Sequence, residues 1–159
     1  MLRVSLILAG LWLILAASAC SSGPAVWDVL VPSDWPATIV PEGAKSAAIS
    51  PDGAVKAVIY EYVSDLSADD FLVQWKNRTP HVSVIKDVED RGIQLARRFR
   101  ASSVATLHLG IRQDKGSGSL RAFAYAKGST VVLIEIRATH TSPRSFTDGS
   151  RIAESFRFR

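Results

Sequence analysis

Histidines are the residues best suited to metal ligation or proton transfer, and the chain has three, His81, His108 and His140. None stands at an HxH, HxxxH or CxxC spacing, so a metal site would have to be gathered from distant segments; strand-end or surface positions account for them more simply. A Ser-His-Asp relay would need a nucleophile turn of the G-x-S-x-G kind, and the chain has none. Asp87, Glu89 and Asp90 cluster beside Gly92 but lack the DxDxDG order of a calcium loop, so a solvated hairpin tip is the reading. Lys115-Gly116-Ser117-Gly118-Ser119 has the composition of a phosphate-cradling loop. Such a loop needs a helix behind it to present N–H groups, whereas strand-like SLRAFAYA follows, and the segment reads as a hairpin turn. Asn77-Arg78-Thr79 matches a glycosylation sequon, but it falls in a helical stretch just before Pro80 and carries no weight. No catalytic residue, metal ligand or cofactor-binding residue is therefore assigned, and no cofactor is expected.

Cys20 is the residue with the clearest chemistry. Residues 1–20 read MLRVSLILAGLWLILAASAC: one cation, Arg3, an apolar run of about a dozen residues, then small residues up to the cysteine. A membrane span needs about 20 apolar residues and this run stops short, so it reads as an export signal. Ala17-Ser18-Ala19 suits ordinary signal peptidase, while the same stretch ending in Cys20 resembles a bacterial lipobox, departing from it at Ala17, where a larger aliphatic is usual. Cys20 is the only cysteine, and an oxidising exported compartment would offer it no partner within the chain. It is accordingly read as the site of diacylglycerol attachment and the new N-terminus, with a free or intermolecularly paired thiol as the rival. Each buried methylene contributes about 0.8 kcal/mol and stable anchoring takes two chains, so a diacylated and N-acylated cysteine would hold the domain on a membrane. Ser21 follows where many Gram-negative lipoproteins retained on the inner membrane have aspartate, which points to the periplasmic side of the outer membrane if the source is Gram-negative.

Those readings divide the chain into a signal peptide at 1–19, a lipidated tether at 20–26 and one domain at 27–159. The whole chain has 159 residues, 47% hydrophobic and 21% charged, which excludes a disordered protein. Its net charge is +4, or +3 once Arg3 leaves with the leader, too small an excess to imply nucleic acid without a localised patch.

Positioning falls to a sheet and two helices. Trp27–Val31, Ala47–Ser50 and Ala54–Val63 read as strands, the last two joined by a Pro51-Asp52-Gly53 turn. Ser67 is an N-cap with Asp70 three residues on; Asp69 and Asp70 face the positive end of the helix dipole, Lys76 and Arg78 the negative end, and Pro80 stops the helix. Ala68, Phe71, Leu72 and Trp75 form its apolar face, which must lie on a sheet. Val82–Val88, Ile93–Ala101, Leu107–Gln113, Leu120–Lys127 and Thr130–Thr139 supply that sheet, and their short spacers imply antiparallel neighbours. The nearly continuous VVLIEI from Val131 to Ile136 predicts a central strand covered on both faces. Pro143–Phe156 reads as a second helix with Gly149 a cost of about 1 kcal/mol inside it. Arg97, Arg98 and Arg100 would share one strand, with Arg112, Arg121 and Arg137 on later ones. Such charges ordinarily guard sheet edges; the functional alternative is a basic surface leaning on anionic lipid.

The order of these elements, with VPSDW (31–35), ADDFLVQW (68–75), STVVLIEIRAT (129–139) and IAESFRF (152–158), resembles the Mog/PsbP-like superfamily, and within it the bacterial lipoproteins related to DcrB. The resemblance implies an α/β/α sandwich with a mainly antiparallel sheet. Its members include a Ran-binding nuclear protein, a photosystem extrinsic subunit and effector chaperones of type VI secretion, so it implies binding, not catalysis. The expected protein is a lipid-anchored, extracytoplasmic accessory or binding protein of the cell envelope, without enzymatic activity, whose partners are the membrane and an envelope protein. A chaperone-like module sheltering an apolar segment stands second, and an enzyme third.

Overall fold

The computed structural model describes residues 26–113, 116–139 and 143–159, with the backbone alone at 143–145. Residues 1–25, on which the expected signal peptide, the expected lipid attachment at Cys20 and most of the expected tether fall, lie outside the described residues. The strands are β1 (Trp27–Asp28), β2 (Ala44–Ile49), β3 (Val55–Val63), β4 (Ser83–Asp90), β5 (Ser103–Gln113), β6 (Gly116–Lys127), β7 (Thr130–Ala138) and β8 (Arg157–Phe158). The helices are α1 (Ala68–Arg78), α2 (Gly92–Arg98) and α3 (Pro143–Ser155). Six strands form one antiparallel sheet in the order β2-β3-β7-β6-β5-β4, while β1 and β8 pair with each other outside it. The fold is α+β, with helices on both faces of the sheet as the sequence leads one to expect.

Alternation along the strands divides the core in two. On one face Val55, Ala57 and Ile59 of β3, Val132, Ile134 and Ile136 of β7 and Tyr125 of β6 meet Ala96 and Phe99 around α2 and Ile152, Ala153 and Phe156 around α3. On the other, Val131 and Leu133 of β7, Ala122 and Ala124 of β6 and Leu107 and Leu109 of β5 meet Ala68 and Leu72 of α1. Every residue of both clusters lies between Trp27 and Phe158, so this segment carries its own core. In β7 every side chain from Thr130 to Ile136 is buried, which explains its uninterrupted apolar sequence. Glu135 is the exception in kind, and its carboxylate is paired with Arg137 (2.7 Å).

Local chemistry fixes the first helix as expected. Ser67 Oγ accepts from the Asp70 N–H at 3.3 Å, and Ala68 N–H reaches across to Ser103 Oγ at 2.8 Å, so two of the orphan helix donors are satisfied. Ala68 and Leu72 are fully buried; Phe71 and Trp75 are only half-buried at the rim of this layer.

Four expectations are corrected. Ile93–Ala101 is not a strand: Gly92 at φ +77° breaks β4, Leu95, Ala96 and Phe99 turn inward at helical spacing, and Ile93 faces solvent. That helix closes with Arg100 N–H on Arg97 O (3.0 Å) and Ala101 N–H on Ala96 O (2.9 Å), a Schellman pattern with Arg100 itself in the left-handed position at φ +55°. Arg97, Arg98 and Arg100 therefore do not share a strand. Gly116–Ser119 is not a loop but the start of β6, paired with Gly110–Gln113; Asp114 and Lys115 lie outside the described residues. A Cβ on Gly118 would come within 2.5 Å of Ala138 O, so close strand approach explains its glycine. The first strand is reduced to Trp27–Asp28 and leaves the sheet for β8. Asp87, Glu89 and Asp90 belong to β4, not to a hairpin tip, and run directly into α2.

Gly149 shows why a glycine sits inside α3. A Cβ there would meet Ile136 Cγ2 at 2.7 Å and Val55 Cγ1 at 3.1 Å, in the seam where the helix lies on β7 and β3. Gly149→Ala gains about 1 kcal/mol of helix propensity but forces a buried, branched side chain to move, at a cost of about 1 to 3 kcal/mol. The expected result is a lower urea midpoint than the parent; a midpoint equal or higher would mean that α3 does not press on the sheet at Gly149.

Candidate functional site

The register of the sheet sets Lys86 of β4, His108 of β5 and Arg121 of β6 in a row across three strands, all on the α2/α3 face. Thr106 and Phe123 form the next row. α2 covers this face near Val104 and Tyr125, and α3 covers it near Ile136, leaving an open groove of about 470 Å³ between them. Its floor is Thr106, His108, Phe123 and Tyr125; Leu95 and Arg98 enter from α2, and Glu154 stands on the α3 rim. The volume suits a small molecule or a few side chains of a partner.

The electrostatics are one-sided. Lys86, Arg91, Arg98 and Arg121 line the groove against one carboxylate, Glu154. Lys86 and Arg91 are committed to Glu89 just outside it, at 2.5 and 3.3 Å. Arg98 has no ion-pair partner among the described residues. Arg121 lies with its guanidinium 4.0 Å from the centroid of Phe146 and makes a 3.4 Å hydrogen bond from Nη1 to Ser150 Oγ, which leaves most of its donors unused. His108 is tilted against Phe146 at 6.3 Å, and its Nε2 is buried without a hydrogen-bond partner. Burial, and then the positive charge of Arg121, hold the His108 imidazole below its ordinary pKa.

The other singled-out residues stay apart. His81 is exposed, its Nδ1 2.8 Å from Thr79 O, and His140 lies outside the described residues. Asp87 pairs with Lys76 at 2.7 Å, and that hydrogen bond holds its carboxyl below the usual range; Lys86 does the same for Glu89. Asp90 caps the turn into α2 by accepting from Gly92 N–H at 2.9 Å. Among the described residues no three His, Cys, Asp or Glu side chains come together as a metal site. The basic residues form no continuous face: Arg98 and Arg121 converge on the groove, while Arg137 serves Glu135 on the opposite side of the sheet. The sequence alone leaves His108 at a strand end or surface position, with ligation or catalysis the less simple readings, and does not reveal the groove. The alternation of Arg121, Phe123 and Tyr125 along β6 is its legible trace; the contribution of Arg98 is not legible, because the 93–101 pattern reads as a strand.

No family model matches this chain, and no curated protein does. Solved structures do. The chain is similar to LpqN of Mycobacterium tuberculosis, described as involved in cell envelope biogenesis, at 14% identity over 87% of each chain with a TM-score of 0.57. It is similar to a protein of Bacteroides thetaiotaomicron at 12% identity and a TM-score of 0.53, over 84% of this chain but 45% of that one. Cyanobacterial PsbP from Synechocystis aligns over 91% of this chain and 99% of its own at 14% identity, with a TM-score of 0.48. At these identities the first two likenesses establish a shared fold. The class defined here is thus a small α+β sandwich with a basic groove on one face, a fold it shares with a protein described as involved in cell envelope biogenesis.

The depressed His108 predicts two linked observations. By NMR, His108 should titrate below 6.5, and Arg121→Gln should raise that value partway, since burial persists after the charge is gone. Because the folded-state value lies below the unfolded one, the stability this group contributes is present above pH 6.5. It declines as pH falls from there through the folded value and is gone below it. A His108 titrating at or above 6.5 in the parent would mean that the ring is solvated and the groove is not as described.

Proposed function

We propose that this chain is a lipid-anchored, extracytoplasmic binding protein of the cell envelope, without catalytic activity, which is held to a membrane through Cys20 and takes its ligand or partner in the groove between α2 and α3. The observation that carries the binding half is the groove itself: a preformed concavity with an aromatic floor, a half-buried imidazole whose Nε2 lacks a hydrogen-bond partner, and two arginines with no ion pair among the described residues. Its side chains suit binding better than catalysis, since the one lining carboxylate stands at the rim and no base adjoins a hydroxyl nucleophile in the manner of a relay. The anchor half rests on the lipobox-like stretch ending in the single cysteine, and the likeness to LpqN supports an envelope setting. The kinship with DcrB-related lipoproteins belongs to the same proposal, as does the outer-membrane placement in a Gram-negative source.

A second reading is favoured by one feature. β4 is an edge strand on which Val84 and Ile85 are exposed, with Val82 just before it and Ile93 just after it also exposed. An open edge with apolar side chains can accept a partner's strand, as a chaperone-like module would.

Two experiments test the proposal. Cys20→Ser should abolish labelling by a palmitate analogue and release the protein from the membrane fraction or leave it unprocessed; label retained by the variant would refute the anchor. A photo-cross-linking phenylalanine derivative at Phe123 should give an adduct in intact envelopes that is absent when the same group is placed at exposed Gln74 on α1. Equal yields at both positions, or none at either, would remove the groove from the proposal, and an adduct only from Ile85 would promote the chaperone reading.

A further inference from the structure

We infer that the groove takes an amphiphile with an anionic head, its phosphate or carboxylate bound by Arg121 with His108 and closed over by Arg98, and its hydrocarbon laid on Phe123 and Leu95. This rests on the reading above that the groove is the binding site. Charge and unmet hydrogen bonding specify the head. Arg121 spends one N–H on Ser150 and stacks its plane on Phe146, an arrangement that fixes the fork while leaving its other donors for an oxyanion. His108 Nε2 is buried with no partner, and an acceptor placed beside Arg121 would satisfy it in the Nε2–H tautomer. Arg98, free of any carboxylate among the described residues, stands on the α2 side of the same groove. Three groups wanting an anion converge where the only lining carboxylate is at the rim.

The apolar floor specifies the tail. Phe123 is half-buried beside Arg121's row, Leu95 is half-buried on α2, and Phe99, Val104 and Tyr125 continue the apolar lining beneath them. A site for a free inorganic anion has no use for that surface, and its exposure is costly unless something apolar covers it. An acidic peptide would match the charges, but its backbone would bring polar groups onto an aromatic floor with few partners for them. An anion joined to a hydrocarbon satisfies both halves at once.

The test is calorimetric titration of residues 21–159, which contain both core clusters entire, with decyl phosphate below its micelle concentration. Three further arms are inorganic phosphate, uncharged decyl maltoside and a tetraglutamate peptide. The expectation is saturable one-to-one binding of decyl phosphate, with inorganic phosphate and decyl maltoside each weaker by about tenfold or more. Arg121→Gln and the exposed Arg98→Gln should each weaken decyl phosphate about tenfold with an unchanged circular dichroism spectrum, while Lys45→Gln, remote on β2, should not. Inorganic phosphate binding as well as decyl phosphate would overturn the tail, decyl maltoside binding as well would overturn the head, and tighter binding of tetraglutamate would replace the amphiphile with an acidic peptide. No binding of decyl phosphate, or binding indifferent to Arg98→Gln, would overturn the inference outright. These results leave the Phe123 cross-linking in envelopes as an independent measure of whether the groove is occupied at all.

Discussion

Burial of β7 on both faces is the constraint from which the rest of the molecule follows. A strand whose side chains from Thr130 to Ile136 are all removed from water needs apolar cover above and below, and in a six-stranded antiparallel sheet that cover has to come from helices. α1 supplies it on one side. On the other, α3 comes close enough over Ile136 and Val55 that only a glycine fits at 149. What is left for the β5–β6 half of that face is α2, seven residues and so about 10 Å long, against the 11 residues of β5, which run about 37 Å. The groove is the part of the sheet that this short helix cannot reach. It is a consequence of how the core is covered, and the chain has lined it with Thr106, His108, Arg121 and Phe123 instead of a continuous apolar surface.

That uncovered stretch sets the chemistry. Desolvation disfavours the charged form of His108, and the guanidinium of Arg121 is itself disfavoured by burial yet kept in place by Phe146 and Ser150. Two polar groups held with unspent hydrogen-bonding capacity in a half-dry site amount to preorganisation for an incoming acceptor. The absence of a carboxylate among the floor residues keeps the site from neutralising itself, unlike β4, where Glu89 ties up both Lys86 and Arg91. The anchor proposed at Cys20 would serve such a site, because confinement at a membrane raises the local concentration of membrane-derived ligands.

Much of this was legible in the sequence, for reasons that differ by element. α1 was legible because Ser67, the paired aspartates, the terminal cations and Pro80 each act locally and agree. β7 was legible because seven consecutive buried positions leave little else for VVLIEI to be. α2 was not, since a helix of seven residues shows barely two turns of periodicity, its apolar Ile93 points outward, and Arg100 occupies the left-handed position where a glycine would have marked the end. Gly116–Ser119 read as a loop because glycine and serine are poor strand formers, while the reason for Gly118 is a carbonyl on Ala138, twenty residues away. The groove lay beyond the sequence for the same reason as α2: strand alternation put Arg121 and Phe123 on one face, but bringing Arg98 to that face needed the helix.

The account stands on the groove as the place of binding, and an amide and side-chain shift map of isotopically labelled residues 21–159 titrated with decyl phosphate tests it most directly. It predicts that the largest changes fall on Thr106, His108, Arg121, Phe123, Leu95 and Arg98, with Leu72 of α1 and Leu109 beneath it on the opposite face unmoved. Changes centred on the α1 face or confined to β4, with His108 and Arg121 silent, would contradict it.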